Sequence, residues 1–127
     1  MKVPPFGPPD ANIAIVGEAP GGDEEREGLP FVGSSGRLLN SMLNAVGIDR
    51  RACYILNVMD IRPPRNDFST FYSDGKTKRD PSERLIKGRG LLRERLSKAN
   101  PNVIIALGNE PYAKEWEDEL DSQSKTG

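Results

Sequence analysis

A three-layer α/β domain with a short parallel central sheet is the fold class this sequence predicts, and three observations predict it. The run NIAIVG, with β-branched Ile13, Ile15 and Val16, and the run CYILNVM, apolar apart from Asn57, have the composition of strands covered on both faces, and VIIAL reads as a third strand. Between them lie SGRLLNSMLNAV and ERLIKGRGLLRERLSKA, whose apolar residues recur at helical spacing, so strand and helix alternate as a parallel sheet requires. Glycine punctuates the boundaries, with Gly17 after the first run, Gly47 after the first helical stretch and Gly108 after the third run.

Taken in order, Met1 to Asp10 carries Pro4, Pro5, Pro8 and Pro9, which enforce an extended leader that need not be ordered. The first strand is expected over Asn12–Val16, at the centre of the sheet, followed by a glycine- and carboxylate-rich loop from Glu18 to Gly33. A helix is predicted from Ser34 or Ser35 to Val46, with serine as N-cap and Leu38, Leu39, Met42, Leu43 and Val46 on one apolar face. Cys53–Met59 is the second strand. Arg62-Pro63-Pro64 can continue neither ladder nor helix, so a long loop begins there and reaches about Pro81. A second helix spans Pro81–Ala99, with Leu85, Leu91, Leu92 and Leu96 inward and arginines outside; Gly88 and Gly90 weaken it by about 1 kcal/mol each. Val103–Leu107 is the third strand, a further helix is expected from Glu110 to about Leu120, and residues 121–127 read as a disordered tail. At 127 residues the chain suits one domain over 1–127.

Charge narrows the function. The 18 basic and 19 acidic residues give a net charge of −1, which argues against a general electrostatic grip on nucleic acid. Between Arg62 and Lys98, however, basic residues outnumber acidic ones, and that segment is locally positive. No apolar run is long enough to span a membrane, and Met1-Lys2 leads into VPPFGPP instead of a signal stretch, so a cytoplasmic protein without membrane contact is expected. The one cysteine, Cys53, can neither form an internal disulfide nor by itself hold zinc or an iron–sulfur cluster; it reads as a buried small hydrophobe, and no metal or cofactor is expected.

Ligands of open α/β sheets bind at the carboxyl ends of strands, which places the pocket between Glu18 and Gly33. Glu18 opens that loop and Phe31 nearly closes it. A carboxylate and a ring suit a small planar ligand, although a glutamate after a strand is also an ordinary turn residue and a phenylalanine before a helix is also ordinary core. Asn57 stands in an apolar strand near its carboxyl end. Its primary amide offers a donor and an acceptor in one plane, as reading the edge of a pyrimidine requires, or it caps a local turn. In the long loop Phe68, Phe71 and Tyr72 adjoin Lys76, Lys78 and Arg79, which suits base stacking and phosphate contact or, alternatively, aromatics pinning a surface loop. A phosphate-binding nucleotide fold is poorly matched, since GEAPGG has neither GxGxxG spacing nor the Lys-Ser/Thr of a P-loop.

The string GEAPGGDEEREGLPFVGSSGRLL, Gly17 to Leu39, resembles the first signature of the uracil-DNA glycosylase superfamily in its family 4 and family 5 form. YILNVMDIRPPRND, Tyr54 to Asp67, resembles the same family's strand and Arg-Pro-Pro loop, and NPNVIIALGNEP, Asn100 to Pro111, its later strand and glycine turn. The resemblance implies hydrolysis of the N-glycosidic bond of deoxyuridine in DNA, the base being flipped into the pocket. Phe31 would stack on uracil, Asn57 would read its edge, and Glu18 would orient a water or support the oxocarbenium-like sugar. Asn66 falls where the family carries a second catalytic polar residue. Gly17, Ala19, Pro20 and Gly21 would line the substrate, the amides of Glu18–Gly21 and the helix start near Ser34 would hold the departing anion, and Arg62, Arg65 and Ser34 would meet the DNA backbone.

The sequence departs from the family in two places. Family 4 members carry four cysteines around an iron–sulfur cluster, and neither pair is present here, which points to the cluster-free, phage-type members, sometimes linked to viral DNA polymerases. The family's histidine-containing loop after a fourth strand would lie beyond Gly127, and the sequence contains no histidine. An incomplete domain and a slow enzyme, acting as a monomer, are therefore expected. The alternative is a catalytically inactive uracil- or single-stranded-DNA-binding module that serves a DNA polymerase or another replication partner.

Overall fold

The computed structural model describes residues 2–73 and 80–108. Three strands, β1 (Ile13–Gly17), β2 (Tyr54–Asn57) and β3 (Val103–Ala106), form one parallel sheet in the order β2-β1-β3. Ala14 lies opposite Tyr54 and Ile104, and Ile15 opposite Ile55 and Ile105. The central strand is buried from Ala14 to Gly17 because its side chains feed two cores at once. Ala14 and Val16 join Tyr54 and Leu56 against Leu85, Leu92 and Leu96, while Ile15 joins Cys53 and Ile55 against Leu39 and Leu43 on the opposite face. Helices therefore cover both faces in three layers, as the alternating pattern predicts.

The helices differ in detail from the sequence expectation. The Glu18–Gly33 segment is not one loop: Gly22–Glu27 forms a short helix, α1, whose first turn holds Asp23, Glu24 and Glu25 and which ends at Gly28 with φ +71°. Acidic side chains there complement the partial positive charge of a helix N-terminus. The next helix, α2 (Ser34–Ala45), buries only Gly36, Leu39 and Leu43. Leu38, Met42 and Val46, expected on the same inward face, are 64, 50 and 68% exposed. A three-strand sheet covers a narrow stripe, and this row is rotated past it, Leu38 and Met42 standing at the edge of a cavity instead.

The last described helix, α3 (Glu83–Ala99), starts at Ser82, whose hydroxyl accepts from the Leu85 N–H at 3.3 Å, and ends at Asn100 in the left-handed conformation. It runs unbroken through Gly88 and Gly90. A Cβ at Gly88 would lie 2.4 Å from Met59 Sδ and 3.0 Å from the Val58 carbonyl oxygen, so the helix needs this glycine to approach the residues after β2. Leu91, expected inside, is exposed, and Arg89, expected outside, is buried with its guanidinium donating to the Tyr72 hydroxyl at 2.9 Å.

Residues 2–10 and 62–73 are more regular than their composition suggests. The leader runs antiparallel beside β2, with Val3 donating to the Asp60 carbonyl at 2.7 Å, Phe6 exchanging both backbone hydrogen bonds with Ile55 at 2.8 Å, and the Val3 side chain buried. After Arg62 the chain makes two tight turns, Pro64–Asn66 and Phe68–Phe71. Phe68, Phe71 and Tyr72 are buried, the two phenylalanine rings edge to face at 5.1 Å. Phe71 and Tyr72 pin the loop to the domain, and Phe68 packs against Phe71. Lys76, Lys78, Arg79, the helix expected from Glu110 to Leu120 and the tail lie outside the described residues.

Candidate functional site

A cavity of about 580 Å³ opens at the carboxyl ends of β1 and β2. Gly17, the last residue of β1, sets its floor. An added Cβ there would come 2.3 Å from Phe31 Cζ and 2.5 Å from Asn57 Oδ1, so the bare backbone leaves the space in which the ring and the amide meet. Asn57 ends the adjacent strand and is 5% exposed, its neighbours Val58 and Met59 donating to the carbonyls of Gly17 and Glu18. Phe31 is returned to the same floor by the segment leading into α2, with φ +55°.

Glu18, Ala19, Pro20 and Gly21 form one wall, Asn66 and Phe68 a second, and Leu107 and Gly108 a third. The Glu18 side chain packs against Gly108, where a Cβ would lie 2.4 Å from Oε1. Asn66 accepts from the Arg62 Nε at 2.8 Å through Oδ1 and has φ +59°. Thus Glu18, Phe31, Asn57 and Asn66 all line one cavity, with Gly17, Ala19, Pro20, Gly21 and Ser34 around them. Arg62 and Arg65 do not line it. Arg62 is held by Asn66 and lies 3.8 Å from Glu25, and Arg65 is exposed on the neighbouring turn.

One contributor was invisible in the sequence. Glu24 Oε1 accepts from the Gly21 N–H at 3.0 Å, and Oε2 accepts from those of Val32 at 2.9 Å and Gly33 at 2.6 Å. Burial pushes the Glu24 carboxyl up, but the N–H donors of Gly33, Val32 and Gly21 outweigh it and leave the pKa below its ordinary value. These bonds also correct an expectation. The N–H of Gly21, expected among the amides that hold a departing anion, is spent on Glu24, as are those of Val32 and Gly33 just before α2. The apolar rim of Leu38, Met42 and Leu107 was likewise missed, since helical spacing assigned the first two to the core.

The described residues do not fit the four-cysteine cluster that the family 4 resemblance brings with it. Cys53 is buried, donates to the Asp49 carbonyl at 3.6 Å, and has its thiol pushed up by burial, and then by Asp49, against the opposing charge of Arg50. Among the described residues no group of three or more His, Cys, Asp or Glu side chains could hold a metal ion.

A model of the Uracil DNA glycosylase superfamily matches residues 4–124. The type-4 uracil-DNA glycosylase of Archaeoglobus fulgidus is 43% identical over 107 residues, covering 84% of this chain and 48% of that protein. Those of Thermotoga maritima, at 41% over 99 residues, and Sulfurisphaera tokodaii, at 39% over 108, cover 78% and 84% of this chain and 46% and 44% of their own lengths. The chain spans about half the length of the curated relatives it matches, and none of the three is named as a phage protein. With its signature loop folded around a cavity at the strand ends and a family match over nearly its whole length, the chain belongs to the uracil DNA glycosylase superfamily.

Proposed function

We propose that this protein hydrolyses the N-glycosidic bond of deoxyuridine in DNA, the first step of base excision. The observation that carries the reading is the convergence of Glu18, Phe31, Asn57 and Asn66, distant in sequence, on one cavity. In this reading a flipped uracil lies against the Phe31 ring, with the Asn57 amide donating to one carbonyl oxygen and accepting from the ring N–H. Glu18 and Asn66 orient a water toward C1′ of the sugar. As the C1′–N1 bond breaks, its electron pair leaves with uracil, the water oxygen bonds to C1′, and the Glu18 carboxylate takes the proton. Arg62, Arg65 and Ser34, all exposed, would meet phosphates of the flanking nucleotides. The type-4 names of the relatives support the substrate class.

The same reading takes residues 1–127 as one domain that works as a monomer in the cytoplasm, without metal or cofactor; a DNA polymerase is the partner of the alternative, base-capturing reading. Its test is release of uracil from labelled single- and double-stranded oligonucleotides. The wild-type chain should release it, and Glu18→Gln should reduce release while leaving binding nearly intact. Retention of a tightly bound, uncleaved uracil oligonucleotide would instead identify a base-capturing module. Equal binding of uracil- and thymine-containing DNA would remove both readings.

A further inference from the structure

We propose that Glu24 and Arg50 are positioning residues that together fix the ring of Phe31 over the cavity floor. The inference rests on the reading of the cavity as a uracil site, but its structural half can be tested without it. Phe31 has φ +55°, a left-handed backbone that residues with a Cβ adopt rarely, so something must hold it. The peptide before it is held at its carbonyl: Pro30 O accepts from Arg50 Nη2 at 2.6 Å. The two peptides after it are held at their N–H groups, both donating to Glu24 Oε2 at 2.9 and 2.6 Å. The strained residue therefore sits between two charge-assisted anchors of opposite sign, one on each side.

Neither anchor is itself loose. The other oxygen of Glu24 is bound to the Gly21 N–H, so one carboxylate ties the start of the signature loop to its end. Arg50 also donates to Asn40 Oδ1 on α2 at 2.9 Å and lies over the Phe6 ring at 6.0 Å, which fastens it to α2 and to the leader. Gly36 completes the seat, since a Cβ there would fall 2.0 Å from the Phe31 carbonyl oxygen and lift the segment off the helix. On the other side the ring shares the space above Gly17 with the Asn57 amide. A shift of the backbone at Phe31 thus moves the ring in the space above Gly17 that it shares with the group proposed to read the base. With both oxygens engaged by N–H groups, Glu24 is a holder and not a second reacting acid beside Glu18.

The experiment combines NMR of the full chain with binding of a uracil-containing oligonucleotide. Glu24→Ala and Arg50→Ala should shift the Phe31 ring resonances and the Val32 and Gly33 amides, and weaken binding about tenfold, within the range of a lost stacking contact. Glu24→Gln keeps one acceptor oxygen and Arg50→Lys one donor, so each should recover part of the loss; they also carry the test if an alanine variant does not fold. In a Phe31→Ala background the further loss from Glu24→Ala should vanish, because the anchors act through the ring. Unchanged Phe31 resonances in folded Glu24→Ala or Glu24→Gln protein, or full additivity with Phe31→Ala, would overturn the proposal. If no variant, wild type included, binds uracil DNA, the uracil reading fails, and the ring resonances alone still decide the anchoring.

Discussion

Gly17 carries more of the site than its lack of a side chain suggests. Its Cα faces both the Phe31 ring and the Asn57 amide at distances no Cβ tolerates, so Gly17→Ala must push one of them away. If the cavity takes uracil as proposed, binding should fall steeply in a fluorescence titration while the melting temperature moves far less. Asn57→Asp tests the amide itself: a carboxylate cannot donate, so the proposed preference for uracil-containing over thymine-containing oligonucleotides should shrink. Glu24 adds a pH dependence whose sign is fixed by its lowered pKa. The order it imparts to the signature loop is complete above the ordinary glutamate value of 4.5 and is lost as pH falls through the lower folded value. Val32 and Gly33 amide shifts followed from pH 6 to 3 should titrate below 4.5, with Asp23, paired to Arg26 on the same helix, as the charged neighbour to be separated. Glu18, Phe31 and Asn57 were legible because their chemistry clashes with their surroundings: an acid at a strand end, a ring among glycines, an amide in an apolar strand. Glu24 was not, because its partners are backbone groups eight and nine positions away, and backbone donors leave no mark on composition.

At the scale of elements, strands were read more accurately than helices. All three apolar runs pair in parallel, β1 and β2 buried nearly throughout, whereas in β3 no residue is fully buried and Val103 is exposed. Helix α1 was missed because its sequence, GDEERE, buries no residue and so has no periodicity to read. In α2 the apolar stripe is wider than the sheet can cover, which separates residues that look equivalent. Leu39→Ala should cost about 2–5 kcal/mol in urea unfolding, whereas Leu38→Ser, at the cavity rim, should change stability by only about 0.5 kcal/mol. Helix propensity and packing make opposite forecasts for Gly88→Ala in α3. Propensity gives a gain of roughly 1 kcal/mol, but Met59 Sδ and the Val58 carbonyl occupy the space, so a loss of about 1–3 kcal/mol is expected.

For the molecule as a whole, the two margins of the sheet are treated differently. β2 is flanked by the leader, whose backbone pairs with Ile55 and Asp60, while β3 has no strand paired to its outer side among the described residues. Deleting residues 1–6 should therefore lower the unfolding midpoint and increase aggregation, as an uncovered edge does. The leader's place could not be read from its prolines, which specify an extended backbone but not what it lies against. That place gives the chain an experimental handle. Lys2 bridges to Ile61, one residue before the Arg62 segment that carries Asn66 into the cavity wall, and the side chain of Lys2 is exposed. The sole native thiol, Cys53, is buried, so a cysteine introduced at position 2 would take a dye selectively and turn the N-terminus into a spectroscopic reporter of how that wall moves when DNA arrives.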